Sequence, residues 1–153
     1  MKTKRPVGFL NVDLEIESSR PLNSLAEEMG SAVLVLYSGP SKGKWHLLAL
    51  ESSRWPHTAD ATVDSLCSVI EKLSVGGRRL WKSARRRVFD VGYELPDGAR
   101  AVRVVMKPEA LARIARLGAT VAFSCYREPN DSTNGRQPIR SKTKSTPSGG
   151  SRR

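Results

Sequence analysis

Apolar and polar residues alternate over Leu10-Asn-Val-Asp-Leu-Glu-Ile-Glu17, which predicts a strand with Leu10, Val12, Leu14 and Ile16 on one face. Pro21 suits a first helical position, Leu22, Leu25, Ala26 and Met29 follow a helical stripe, and Gly30 supplies a left-handed stop. A short helix therefore follows the strand. The apolar run Ala32 to Tyr37 and the segment Trp45 to Glu51 read as a hairpin joined by the turn residues Ser38 to Lys44. A period near 3.6 through Val63, Leu66, Cys67, Ile70 and Leu73 gives a second helix starting near Asp60, and Gly76-Gly77 interrupts it before a further helical piece over 78–86. Period two then returns in Phe89, Val91, Tyr93 and Leu95, and Pro96-Asp97-Gly98 turns the chain into Ala101 to Met106 as a second hairpin. Pro108 opens a third helix that closes at Gly118, with Leu111, Ile114 and Leu117 inward, and Ala119 to Tyr126 is the last strand.

The order β-α-β-β-α-β-β-α-β predicts an α+β fold, a six-stranded, mixed or mainly antiparallel sheet with three helices on one face. Its first six elements match a ferredoxin-like unit, and the last β-α-β echoes the first as an approximate internal duplication would. Residues 1–128 form one domain in this reading, and 129–153 form a tail.

Composition narrows the class. The 153 residues are 39% hydrophobic and 27% charged. No run approaches the eighteen apolar residues of a membrane span, and Met1-Lys-Thr-Lys-Arg-Pro leads into alternation instead of a secretory apolar core, so a cytoplasmic protein without membrane contact is expected. Cys67 and Cys125 sit among apolar residues without metal or redox spacing and read as small buried hydrophobes in a reducing compartment.

The net charge of +11 is concentrated in two segments. Arg78 to Arg87 holds six basic residues and no acid, Pro129 to Arg153 holds six and one acid, and everything else balances. The second segment, rich in Pro, Ser, Thr and Gly with one Ile and no aromatic, lacks the apolar area to offset its ordering entropy and is predicted to be a disordered basic tail. In the first, a helix would gather Arg78, Arg79, Lys82, Arg85 and Arg86 into one stripe, with Leu80, Trp81, Ala84 and Val88 opposite. Five crowded like charges ask for an acidic neighbour. Glu71, Asp90 or the acidic face of the first strand would serve within the chain; otherwise the neighbour is an acidic protein or nucleic-acid phosphate. The candidate binding residues are thus Arg78, Arg79, Lys82, Arg85, Arg86 and, in the tail, Arg140, Lys142 and Lys144.

Catalytic chemistry finds few parts. Gly39-Pro-Ser-Lys-Gly-Lys44 has three residues between its glycines where a phosphate loop needs four, and Trp45 with a strand follows where a hydroxyl residue and a helix should, so it is a hairpin turn. His46 and His57 have no acid or nucleophile at a readable spacing. Asp13, Glu15 and Glu17 could offer carboxylates to a metal, but such alternation, like that of Asp90 and Glu94, marks the solvent side of a sheet. No catalytic residue, metal or cofactor is expected.

The second half carries a recognisable pattern: a helix with Leu66, Ile70 and Leu73, a basic loop, Phe89-Asp-Val-Gly-Tyr-Glu94, Met106-Lys-Pro-Glu-Ala-Leu111, Ile114-Ala-Arg-Leu-Gly118 and Val121-Ala-Phe-Ser-Cys-Tyr126. It resembles the bacterial domain-of-unknown-function family numbered 4279, with a likeness spanning roughly Phe9 to Tyr126. Lys107 departs from that pattern, standing where Ser or Thr would cap the helix. The resemblance implies a small cytoplasmic α+β protein without established catalytic residues. The resulting expectation is a non-enzymatic protein-binding module, in the manner of an immunity protein that meets a toxin, with an acidic protein as partner. The alternative is weak, sequence-independent nucleic-acid binding through the basic helix and tail.

Overall fold

The computed structural model describes residues 7–55, 57–96, 98 and 101–127. Among them the elements run β1 (Gly8–Ser18), α1 (Asn23–Met29), a 3-10 turn (Gly30–Ala32), β2 (Val33–Pro40), β3 (His46–Ser52), α2 (Ala59–Glu71), α3 (Val75–Ser83), β4 (Arg86–Leu95), α4 (Pro108–Arg116) and β5 (Thr120–Arg127). The class is α+β, with five strands and four α-helices where six and three are predicted.

The strands form one mixed sheet in the order β2-β3-β1-β4-β5, antiparallel throughout except for the parallel pair β4 and β5. Two β-α-β connections interleave in it: β3 lies between β1 and β2, and β1 lies between β3 and β4. The last connection differs, because β4 and β5 pair directly. The expected echo of the first unit in the last therefore fails at the level of strand neighbours.

The missing sixth strand has a topological cause. β4 has two edges; β1 takes one from Gly8 to Glu17, and β5 takes the other from Thr120 to Arg127. No edge is left for Ala101 to Met106. That stretch keeps its period-two pattern, with Val102, Val104 and Met106 half-buried and Arg103 and Val105 exposed, but it packs Val104 and Met106 against the core without joining the ladder.

The core lies on the helix-backed side of the sheet. Val12, Leu14 and Ile16 of β1, Leu48 and Leu50 of β3, and Phe89, Val91 and Tyr93 of β4 meet Leu25 and Met29 of α1, Val63, Leu66, Cys67 and Ile70 of α2, Trp81 of α3, and Ala110 and Ile114 of α4. Two positions depart from the expected faces. A register shift between Phe9 and Asn11 turns Leu10 outward and leaves Phe9 packed edge-on against Tyr93, with ring centroids 6.0 Å apart. On α4, Leu111 is exposed and Ala110 takes the buried place. Cys125 is also exposed, because β5 is an edge strand.

Helix α3 starts three residues earlier than the glycine pair suggests. Ser74 caps it, its hydroxyl accepting from the Gly77 amide at 3.1 Å, and the Glu28 carboxylate from α1 accepts from both the Ser74 amide and hydroxyl. A Cβ at position 77 would run into that carboxylate, so the glycine serves a close helix approach and does not end a helix. Thr58 caps α2 through the Ala61 amide. At α4 Lys107 provides no side-chain cap, and its own backbone amide is satisfied from another element, donating to Asp60 Oδ1 at 2.9 Å. Phe89, in the middle of β4, is the largest of the fully buried side chains. Phe89→Ala should lower unfolding free energy by about 3 to 5 kcal/mol, read from the midpoint of a denaturant titration.

Candidate functional site

Because all helices pack on one side, the second face of the sheet carries no helix, and strand register decides which side chains share it. Along β1 these are Asn11, Asp13, Glu15 and Glu17, opposite in sense to the buried Val12, Leu14 and Ile16. Pairing brings Glu51 of β3 and Asp90 of β4 directly beside Asp13, giving a row of three carboxylates across three strands. Glu94 lies farther along β4, paired with Gly8 and with Tyr126 of β5. Apolar residues flank the acids: Ala49, Leu47 and Val88 within the sheet, and the exposed Leu34, Tyr37 and Tyr126 toward its two edges.

The two ends of this face differ in charge balance. At the end where β1 finishes, Arg85 donates to Glu17 Oε2 at 3.0 Å, its backbone amide donates to the Glu17 carbonyl at 2.9 Å, and its guanidinium lies 4.0 Å from the centre of the Trp45 ring. Arg86 pairs with Glu15 beside it. At the other end, Asp13, Glu51, Asp90 and Glu94 make no ion pair among the described residues. Asn11 donates to Asp13 at 2.8 Å and Ser124 of β5 to Asp90 Oδ2 at 2.8 Å, while Asp90 Oδ1 is buried without a hydrogen-bond partner. Burial first, and then the neighbouring Glu51 and Asp90 charges, raise the Asp13 pKa above its ordinary 3.8.

The basic segment is arranged differently from the expected helical stripe. Helix α3 stops at Ser83, so Arg85 and Arg86 leave the helix and turn to the acidic face, where both are neutralised within the chain. Arg78 donates to the Leu73 carbonyl at 2.7 Å. Arg87 caps the C-terminal end of α3, donating to the Trp81 and Lys82 carbonyls and to the Gly118 carbonyl, while Trp81 Nε1 donates to the Leu117 carbonyl at 2.9 Å. Arg79 and Lys82 are exposed and, among the described residues, without a partner. Arg140, Lys142 and Lys144, with the rest of the tail, lie outside the described residues.

Other charged sites are structural. Arg113 of α4 grips Glu71 through both carboxylate oxygens at 2.7 and 3.2 Å, reaches Asp64 Oδ1 at 3.1 Å and Ser68 Oγ at 3.0 Å, and so ties α4 to α2. Its hydrogen bond holds the Glu71 carboxyl below its usual range. Burial pushes the Cys67 thiol up to about 11, which leaves it protonated and unreactive. A groove of about 820 Å³ opens between α1, α2 and the loop before α2, yet of its carboxylates Glu28 caps α3 and Asp64 holds Arg113. His46 is half-buried at the start of β3, and His57 is exposed in the loop before α2. Among the described residues no group of three or more His, Cys, Asp or Glu is placed to hold a metal ion, and no helix is long and apolar enough to cross a membrane.

No protein-family model matches the chain, and no curated protein or solved structure matches it either.

The charge conflict at Asp13 can be measured. Folding disfavours the ionised form of a carboxyl whose pKa is raised, so the destabilisation that Asp13 contributes fades as pH falls through that raised value toward 3.8. Asp13→Asn should therefore have a higher melting temperature than wild type at pH 7. The difference should shrink steadily in thermal melts carried toward pH 3.8 and below.

Proposed function

We propose that this protein is a non-enzymatic protein-binding module that uses the uncovered face of its sheet, in the manner of an immunity protein that meets a toxin. The observation that carries the reading is the combination on that face of four carboxylates without ion pairs among the described residues and exposed apolar residues at both edges. A partner with a basic centre and apolar flanks would relieve the carboxylate repulsion while covering Leu34, Tyr37 and Tyr126. This reverses the polarity expected from composition, since Arg85 and Arg86 are already occupied by Glu17 and Glu15. A cytoplasmic location belongs to the same proposal.

Nucleic-acid binding is the second reading, and the exposed Arg79 and Lys82 support it together with the cations of the tail. The two make opposite demands on the acidic face. A pull-down from native lysate with the full chain should retain a stoichiometric protein that Asp13→Asn/Glu51→Gln/Asp90→Asn loses and Arg79→Ala/Lys82→Ala keeps. Equal recovery on wild type and the acidic-face variant would remove the sheet face from the account. For the second reading, binding to duplex DNA should weaken roughly tenfold or more, and its salt dependence flatten, in Arg136→Gln/Arg140→Gln/Lys142→Gln/Lys144→Gln; unchanged affinity would dismiss it.

A further inference from the structure

The acidic face has a complementary polycation on the same chain. Pro129 to Arg153 carries six basic residues against one acid, a net charge of +5. Its departure point is fixed by the sheet: β5 is an edge strand whose last residues, Tyr126 and Arg127, pair with Glu94 and Leu95 of β4. The chain thus leaves the sheet beside Glu94, at the end where Gly8 begins β1. That is the end where the carboxylates have no ion pairs among the described residues. Glu15 and Glu17, which Arg86 and Arg85 neutralise, lie at the opposite end.

Chain length permits contact. The row of Asp90, Asp13 and Glu51 starts about four residues along β4 from Glu94, roughly 13 Å, and extends over three strands at about 5 Å spacing. Nine residues separate Arg127 from Arg136, enough for about 30 Å of extended chain, and Arg140, Lys142 and Lys144 follow directly. The first four cations of the tail can therefore reach Glu94, Asp90, Asp13 and Glu51, whereas Glu15 and Glu17 at the far end are already paired.

We infer that the C-terminal segment 129–153 docks across the uncovered sheet face of its own chain, its Arg and Lys residues meeting Glu94, Asp90, Asp13 and Glu51. This rests on the reading of that face as the binding surface and adds its regulation: the segment occupies the site by charge until a basic partner with better apolar contact displaces it. Intramolecular attachment supplies the high effective concentration that weak, salt-sensitive contacts need.

Zero-length carbodiimide cross-linking of the full chain tests the docking, because it joins amines to carboxylates in direct contact. At low salt, mass spectrometry of the monomer band should place Lys142 or Lys144 on Asp13, Glu51, Asp90 or Glu94, at least fivefold more often than on the helix-side Glu27, Glu71 or Glu109. These links should disappear in 0.5 M NaCl. An even spread over all acids, or links confined to a covalent dimer in which a second copy's tail is the occupant, overturns the proposal. A second measurement needs no face variant: trypsin should cut after Arg136 and Arg140 at least fivefold more slowly in 20 mM than in 500 mM NaCl, corrected for the rate on a short control peptide, and equal rates overturn it. If the cross-links appear while lysate capture ignores the face, the partner reading fails and the docking stands; the reverse result removes only the docking.

Discussion

The position of β1 between two antiparallel neighbours is the constraint on which the rest of this protein depends. A strand paired on both edges has only its two faces to distinguish, and the strict alternation of β1 makes one apolar and the other acidic. Slipping its register by one residue would send Asp13, Glu15 and Glu17 into the core among Phe89, Leu50 and Leu66. The cost of burying unpaired carboxylates, several kcal/mol per ion even after relaxation, rules that arrangement out. The same rigidity concentrates the acids, because strands β3 and β4 bring Glu51 and Asp90 to the two sides of Asp13.

The cations are distributed in answer to that concentration. Arg85 and Arg86 sit at the entry to β4, where the chain comes out of α3 and crosses to the sheet, and they cover the acids nearest to them. Arg87, one residue on, alternates to the helix side and holds carbonyls at the ends of two elements. Arg113 is spent on α2. A run that looks like a single basic ridge in the sequence thus divides among a sheet face, a helix end and solvent. On the open sheet face itself, what is left without an ion pair among the described residues is negative, at the end where the chain departs toward its basic segment.

Much of the architecture was legible because side-chain periodicity reports local structure directly. Val12, Leu14 and Ile16 of β1, Phe89, Val91 and Tyr93 of β4, and Val63, Leu66, Cys67 and Ile70 of α2 are buried as the period-two and period-3.6 patterns select, and β2 and β3 form the expected hairpin, although β2 runs on through Ser38, Gly39 and Pro40, which pair with Leu48, Leu47 and His46. Errors arose wherever a residue's role depended on something distant in the sequence. Gly77 looks like a helix breaker until Glu28 is seen against it; Ala101 to Met106 looks like a strand until β5 is found in the place it would have taken; and the acidic neighbour of Arg85 and Arg86, open in the sequence between the chain itself and a partner, is found on β1.

By itself, then, the sequence determined the class of the fold, most of the apolar core and the alternation that puts carboxylates on the far side of β1, since each of these follows from neighbours within a few positions. Strand order, register and the fate of each arginine were decided only in three dimensions. Those depend on which edges compete for pairing and which charges come within a few ångströms of one another, and that information is spread over segments more than eighty residues apart.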